Sequence, residues 1–134
     1  MASSQSMNTA TTNTAATKRL APCPKSPNCV SSLAPDDAHR VDPIRFTGDP
    51  AAALAKLRAV IEAMPRAAVT RSDGDSLHAE FTSWLLRFVD DIDAVVDPDA
   101  GVIHVRSASR VGYSDLGVNR KRVDAIRAAF ASAR

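Results

Sequence analysis

The sequence predicts a two-layer α+β domain, in which an antiparallel sheet of four or five strands carries two helices on one face. Two hairpin signals with period-two alternation predict the central strands, and two apolar stripes at helical spacing predict the helices. At 134 residues the chain is long enough to bury one hydrophobic core without additional staples. We expect a single domain over residues 20–134. It follows a disordered tail over residues 1–19, which is rich in Ser, Thr, Asn and Ala.

A short strand and a capped helix are predicted in the first half of the domain. The strand centres on Ile44 and Phe46. Asp49 before Pro50 is typical of an N-cap followed by the first helical position, and Pro65 ends the helix. The apolar stripe that packs this helix on the sheet consists of Leu54, Leu57, Ile61 and Met64.

Two hairpins follow this helix. Strands over residues 67–72 and 77–83 flank an Asp-Gly-Asp turn, and strands over residues 85–96 and 102–110 flank a second turn rich in Asp, Pro and Gly. Trp84 lies between the hairpins, and a single tryptophan is usually a packing residue. We therefore expect Trp84 to be a packing residue and give it little functional weight.

One carboxylate interrupts the apolar face of the second hairpin. Asp90 alternates in register with the apolar residues Leu86, Phe88, Ile92, Ala94 and Val96. Antiparallel pairing places Asp90 opposite Ser107 or Ser109, depending on the register. A carboxylate on an apolar face needs hydrogen bonds or a cation, which these serines and a following arginine could supply. The opposite face, with Asp91 and Arg110, is predicted to be a solvated surface of mixed charge.

The last helix begins with three cations, although a helix N-terminus favours acidic residues. Asn119 is the predicted N-cap, so residues 120–122 (Arg-Lys-Arg) fill the first turn. One interpretation is an anion site. A second, which we favour, is internal neutralisation, in which Asp90, Asp91 or Asp115 pairs with Arg120 or Arg122. In a third, the helix begins earlier, near Ser114. The buried stripe of this helix consists of Val123, Ile126 and Phe130.

Two cysteines lie in a proline-rich segment near the start of the domain. Cys23 and Cys29 are close enough in sequence for a turn to bring them together. They could be reduced structural thiols, a disulfide, half of a metal site or a redox pair. The three histidines are scattered along the chain and the spacing is not Cys-x-x-Cys. We therefore favour packing or a disulfide and expect no metal.

Three motifs together resemble those of the domain-of-unknown-function 1499 family of bacteria and plastids. They are Ala-Pro-Cys-Pro-Lys-Ser-Pro-Asn-Cys-Val-Ser-Ser, Phe-Thr-Ser-Trp-Leu-Leu-Arg-Phe-Val-Asp-Asp and Ser-Arg-Val-Gly-Tyr-Ser-Asp-Leu-Gly-Val-Asn-Arg-Lys-Arg-Val. The resemblance runs from about Leu20 to the C-terminus and implies one small domain, without indicating an activity. It also implies that many relatives are exported or lipid-anchored, which favours a disulfide. The family's signature positions fall here on Cys23, Cys29, Ser31, Ser32, Trp84, Arg87, Asp90, Asp91, Ser107, Ser109, Arg110, Tyr113, Asp115, Asn119 and Arg120.

Charge and hydropathy exclude several classes of partner. A formal net charge of +2 is too small to indicate nucleic acid or a membrane surface as the main partner, and the scarcity of aromatic residues argues against a stacking platform for single-stranded nucleic acid. No apolar run is long enough for a membrane span. The N-terminus lacks the apolar core of a signal peptide, so we expect a cytoplasmic protein; a cell-envelope location after removal of a leader is the alternative. We expect no cofactor, and the sequence predicts no particular oligomeric state.

Three functional hypotheses follow. The first is a non-enzymatic module that binds a small anion or acidic partner at the Arg-rich motif. The second is a hydrolase-like enzyme that uses Asp90 with Ser107 or Ser109, although no histidine is placed to act as its base. The third is a thiol or metal role for Cys23 and Cys29. The candidate ligand-binding residues are Asp90, Ser107, Ser109, Arg110, Tyr113, Arg120 and Arg122, and no residue is assigned as catalytic.

Overall fold

The computed structural model describes residues 20–112 and 114–133. Both the predicted disordered tail and Tyr113 lie outside the described residues. Within those ranges the elements in chain order are β1 (Cys29–Ser31), β2 (Ile44–Arg45), α1 (Pro50–Glu62), β3 (Ala67–Asp73), β4 (Ser76–Thr82), β5 (Val89–Asp97), β6 (Val102–Ser109) and α2 (Val118–Ser132).

The strands form one open antiparallel sheet in the order β1-β6-β5-β4-β3. The short strand β2 also pairs with β6, opposite Val102 and Ile103, whereas β1 pairs with the far end of β6, where Cys29 lies opposite Ala108. This arrangement confirms the predicted α+β fold. The described part of the chain has six strands rather than four or five, because the cysteine segment supplies an edge strand that its prolines concealed.

Both helices pack on one face of the sheet, where they enclose the main hydrophobic core. The largest fully buried apolar side chains in this core are Ile44, Leu57, Ile61, Leu77, Ile92, Ile103 and Val123. Helix α1 begins as predicted, because the carboxylate of Asp49 accepts a hydrogen bond from the backbone N–H of Ala52 at 3.0 Å. It ends at Glu62, slightly before the predicted end. Within the described ranges, neither helix is long and apolar enough to cross a membrane.

The segment before β5 departs from the prediction. The strand begins at Val89 rather than at residue 85, and Trp84, which we expected to serve packing, is 72% exposed. The backbone N–H of Ser83 donates to the carbonyl of Phe88 at 2.8 Å, which closes a loop over the intervening residues. Arg87 in this loop has φ 60°, which breaks the extended alternation on which the prediction depended.

The cysteine segment forms the edge of the sheet and contacts the C-terminal motif. Cys23 and Cys29 form a disulfide with a sequence separation of 6. The backbone N–H of Ser109 donates to the carbonyl of Asn28 at 3.0 Å, and the side chain of Asn28 donates to the carbonyl of Gly112 at 2.7 Å. The disulfide loop therefore anchors both the end of β6 and the chain that follows it.

Reduction of the disulfide is expected to lower the free energy of unfolding by about 2 kcal/mol, the chain-entropy value for a loop of this size. The measurement is urea unfolding with and without reductant, with mass spectrometry to detect the two added hydrogens. A Cys23→Ala/Cys29→Ala variant is the control, because its unfolding should not respond to reductant. Equal stability of the oxidised and reduced wild-type protein would contradict a stabilising role.

Candidate functional site

The candidate site lies where three neighbouring strands meet one end of each helix. Three connecting segments gather there: residues 63–66 between α1 and β3, residues 83–88 between β4 and β5, and residues 110–117 between β6 and α2. We call this part of the molecule the loop end. Phe81 lies opposite Asp90, and Asp90 lies opposite Ser109, so the three strand ends are adjacent.

A fully buried amide, that of Asn119, holds this end together. Its side-chain oxygen accepts a hydrogen bond from the hydroxyl of Ser107, which is also fully buried. Its amide nitrogen donates to the carboxylate of Asp115 at 2.6 Å and to the hydroxyl of Ser109 at 2.9 Å, and the carbonyl of Asn28 lies at 3.3 Å. The amide therefore links α2 to β6, to the cysteine segment and to the loop before the helix.

The prediction that Asn119 caps the last helix is wrong. Helix α2 begins at Val118, after Gly117 with φ 81°, and Asn119 lies inside its first turn. An early start near Ser114 is also wrong. The carboxylate of Asp115 accepts hydrogen bonds from the backbone N–H groups of Gly117 at 2.8 Å and Asn119 at 3.0 Å. The acidic group that a helix N-terminus favours is thus Asp115, just before the helix.

The environment of Asp115 keeps it ionised. Burial alone would raise the pKa of this carboxyl, but the hydrogen bonds from the backbone and side chain of Asn119 and from Gly117 hold the pKa below its ordinary value. A charged carboxylate therefore remains available to hold the helix start.

Internal neutralisation, the interpretation that we favoured, is confirmed for one of the three cations. Arg122 donates a hydrogen bond to the carboxylate of Asp90, and both side chains are largely buried, at 16% and 12% exposure. The Arg122 guanidinium lies over the ring of Phe81, with 4.7 Å between its central carbon and the ring centroid. Asp90 faces Ser109 rather than Ser107 across the strand pair. The register thus selects one of the two predicted partners.

Two other predicted site arginines do not join this group. Arg120 donates to the backbone carbonyls of Ala38 and Arg40, at 2.9 Å each. Arg110 lies on the other face of the sheet, where it contacts both oxygens of Asp91 at 2.8 and 2.9 Å and Glu80 at 2.8 Å. The structure therefore pairs Asp90 with Arg122 and places Asp90 opposite Ser109 on the neighbouring strand, whereas the Ser107 hydroxyl bonds Asn119. Arg110 and Arg120 lie apart from this pair.

In the described part of the chain, one group of three potential metal ligands lies close together, beside Arg110. Ligand atoms of His78, Glu80 and Asp91 lie within 4.8 Å of one another, and His78 is 3.0 Å from Asp91. The guanidinium of Arg110 already contacts both carboxylates, and its hydrogen bonds to Asp91 hold the pKa of that carboxyl below its ordinary value. A cation would have to displace Arg110, so we interpret this cluster as structural.

A cationic pocket of about 300 Å³ lies at the loop end, between the C-terminus of α1 and the first turns of α2. Its lining consists of Met64, Pro65, Arg66, Phe81, Val118, Lys121 and Arg122. Arg66 and Lys121 are exposed, and no ion pair within the described residues involves either of them. Sequence reasoning missed Arg66, which follows the proline at the end of α1. Its φ of 58° is a signal that only the structure reveals.

Backbone strain is concentrated at the loop end. Three residues other than glycine have positive φ within the described ranges, namely Arg66, Arg87 and Leu116, and all three lie in the connecting segments of this end. A side chain in that region costs energy and often marks a functional position. Each of the three residues presents a cation or an exposed apolar side chain to solvent.

A second pocket, of about 340 Å³, lies at the opposite end of the sheet. Arg45 and Lys56 are its cations, and the ammonium group of Lys56 lies 4.3 Å from the centroid of the Phe130 ring. It contains no residue of the three sequence motifs. A pocket of about 390 Å³ beside the cysteine segment does contain residues of the first motif, but no Lys or Arg lines it. We therefore place the candidate site at the loop end, although its pocket is smaller than both of these.

The fold and site define a small α+β domain in which a buried amide network connects an arginine-rich helix start to a disulfide-closed edge strand. The family described as "Protein of unknown function (DUF1499)" matches residues 19–130. The chain belongs to this family, which confirms the resemblance of its three motifs. A comparison with curated proteins gives no match.

Replacing Asn119 with Ala is expected to destabilise the protein by about 3 kcal/mol, because the buried Ser107 hydroxyl loses its acceptor and the carboxylate of Asp115 loses a hydrogen bond. Urea unfolding measures the change. Asp124→Ala is the control on the same helix, since Asp124 is 55% exposed, and its effect should stay within about 0.5 kcal/mol. Equal effects of the two substitutions would contradict the central role of the Asn119 amide.

The Arg110 network is expected to make stability dependent on pH. The pKa of Asp91 is lower in the folded than in the unfolded protein, so the network stabilises the fold fully above the unfolded value of about 3.9. That contribution disappears as the pH falls through the folded value. Urea unfolding from pH 7 down to pH 3 should therefore show a smaller loss of stability in Arg110→Gln than in the wild type. Parallel curves for the two proteins would show that Arg110 does not control this titration.

Proposed function

We propose that the protein is a non-enzymatic module that binds a small anion, such as a phosphate or carboxylate group, in the cationic pocket at the loop end. The observation that supports this proposal is the excess of positive charge in the pocket. Arg66, Lys121 and Arg122 line one pocket, and among the described ion pairs only Asp90 neutralises any of them, through Arg122.

The arrangement of Arg122 supports this proposal. Its contacts with Asp90 and Phe81 fix the guanidinium at the wall of the pocket, so little side-chain entropy would be lost when an anion binds. A guanidinium has five N–H donors, and the hydrogen bond to Asp90 uses one of its nitrogens. Arg66 and Lys121 would supply the remaining charge from opposite sides of the pocket.

The proposed site keeps part of the predicted set and changes the rest. Arg122 remains, and Lys121, which the sequence placed in the same cationic turn, joins it together with Arg66. Arg110 and Arg120 are bonded elsewhere. An acidic side chain of a protein partner offers the same chemistry as a free carboxylate and would bind in the same way.

The hydrolase-like alternative has weaker support. The hydroxyl of Ser107 donates to the Asn119 amide oxygen, and that of Ser109 accepts from the Asn119 amide nitrogen. An amide cannot take a proton from either serine, so the described residues give neither hydroxyl the partner that a nucleophile needs. The third hypothesis is a thiol role for Cys23 and Cys29. These cysteines form a disulfide in the structure, and redox exchange at this disulfide remains a prediction.

Inorganic phosphate is expected to stabilise the wild-type protein, by about 2.7 kcal/mol when its concentration is a hundredfold above the dissociation constant. Urea unfolding at constant ionic strength, with chloride as the comparison anion, separates specific binding from screening. Carboxylates such as citrate extend the panel. Removal of the two exposed cations in Arg66→Ala/Lys121→Ala should abolish the stabilisation.

Arg45→Ala is the matched control, because Arg45 is an exposed arginine in the pocket at the opposite end of the sheet. This variant should respond to phosphate as the wild type does. Loss of the phosphate response in Arg45→Ala, with retention in the double variant, would place the anion in the other pocket. If none of the anions stabilises the wild-type protein against urea unfolding, the proposal is wrong.

A further inference from the structure

Among the residues that the structure describes, the exposed large apolar side chains all lie at the loop end. Within the described residues they are Trp84, Leu85, Leu86, Phe88, Val111, Leu116 and Val118, with exposures from 42% to 88%. Four belong to the segment over residues 83–88, and three belong to residues 111–118. Single exposed apolar residues are ordinary, but a concentration at one end of a small domain marks an interaction surface.

The two apolar segments leave the sheet side by side. The backbone N–H of Arg110 donates to the carbonyl of Val89 at 3.1 Å, which joins the start of the second segment to the end of the first. Val118 is at once an exposed apolar residue and a wall of the cationic pocket. The apolar segments and the cations of the pocket therefore form one continuous surface.

The charges that remain unpaired on this surface are positive. Arg66, Arg87 and Lys121 take part in no ion pair within the described ranges, whereas the carboxylates of Asp90 and Asp115 are engaged. Asp90 bonds Arg122, and Asp115 holds the start of α2. A partner that covers this surface must therefore combine negatively charged groups with an adjacent apolar region.

We propose that the loop end docks on an anionic lipid bilayer. Trp84, Leu85, Leu86 and Leu116 would enter the boundary between headgroups and acyl chains, and Arg66, Arg87 and Lys121 would meet the lipid phosphates. Tryptophan and leucine beside arginine on one short loop suit that boundary, where an apolar phase lies within a side-chain length of negative charge. The placement of a lipid phosphate in the cationic pocket rests on the proposed function; the docking itself rests on the apolar segments and Arg87.

A second copy of the chain fits this surface less well. A two-fold dimer presents the same patch to itself, which would bring Arg66, Arg87 and Lys121 of one copy against the same cations of the other. Repulsion between like charges opposes that arrangement, whereas an anionic bilayer complements it.

The chain contains a single tryptophan, Trp84, so its fluorescence reports directly on the proposed insertion. We expect a blue shift of its emission, together with co-sedimentation of the protein, with vesicles of phosphatidylcholine and phosphatidylglycerol. Binding should be at least tenfold weaker to vesicles of pure phosphatidylcholine, since each cation near an anionic surface contributes about fivefold. Raising the salt concentration should weaken the binding to the mixed vesicles.

Two variants test the two parts of the surface while retaining the tryptophan. Leu85→Asn/Leu86→Asn changes side chains that are 73% and 64% exposed, so the fold should remain intact. Vesicle binding should fall at least tenfold, with phosphate stabilisation unchanged. Arg87→Asn, in which asparagine tolerates the positive φ, should weaken vesicle binding about fivefold. Arg45→Ala should bind vesicles as the wild type does.

Several results would overturn the docking proposal. They are the absence of a blue shift and of co-sedimentation with the mixed vesicles, equal binding to neutral vesicles, and full vesicle binding by Leu85→Asn/Leu86→Asn. Dimers in solution that this variant abolishes, with no vesicle binding by the wild type, would assign the surface to a second copy. Phosphate stabilisation without vesicle binding would refute docking alone. Vesicle binding that needs Arg87, without phosphate stabilisation, would support docking and refute the proposed function.

Discussion

The hydrogen bonds of the buried Asn119 amide are the constraint on which the loop end depends. A buried amide must keep its partners or lose stability, and those partners come from β6, the cysteine segment and the loop before α2. The start of α2 can therefore move very little relative to the sheet. That restriction places Arg122 against Asp90 and Phe81, and it brings Lys121 to the mouth of the pocket.

The same geometry decides which cations of the arginine-rich motif are available to a ligand. Asp90 and Asp91 are neighbours on β5, but their side chains lie on opposite faces of the sheet. Each is bonded to a different arginine, Asp90 to Arg122 and Asp91 to Arg110. The motif thus uses much of its positive charge to stabilise carboxylates within the protein. Among the described residues, the cations without an ion pair at this end are Lys121 of the motif and, outside it, Arg66 and Arg87.

The sequence predicts those features that depend on local patterns. Period-two alternation was sufficient to place Asp90 opposite a serine of β6, and Asp49 with Pro50 was sufficient to begin α1. Prediction from the sequence failed where tertiary contacts override local preference. Asn119 satisfies the sequence rule for a cap, but its side chain instead forms hydrogen bonds with the buried hydroxyl of Ser107 and with the carboxylate of Asp115. Nothing local to Arg66 indicates that it lines a pocket with α2, because that neighbourhood is created only when the helix docks.

The stability of the fold does not explain the exposed apolar residues of the loop end. Leu116 is 88% exposed and, like Arg87, has positive φ, so both residues cost the folded state energy of about 1 kcal/mol or more. A polar residue or glycine would serve a connecting loop at lower cost. The cost is tolerated because the disulfide segment and the Asn119 amide fix the strand ends beneath these loops. A rigid base that holds strained, apolar and cationic loops is typical of a recognition surface, and the domain offers it at one end only among its described residues.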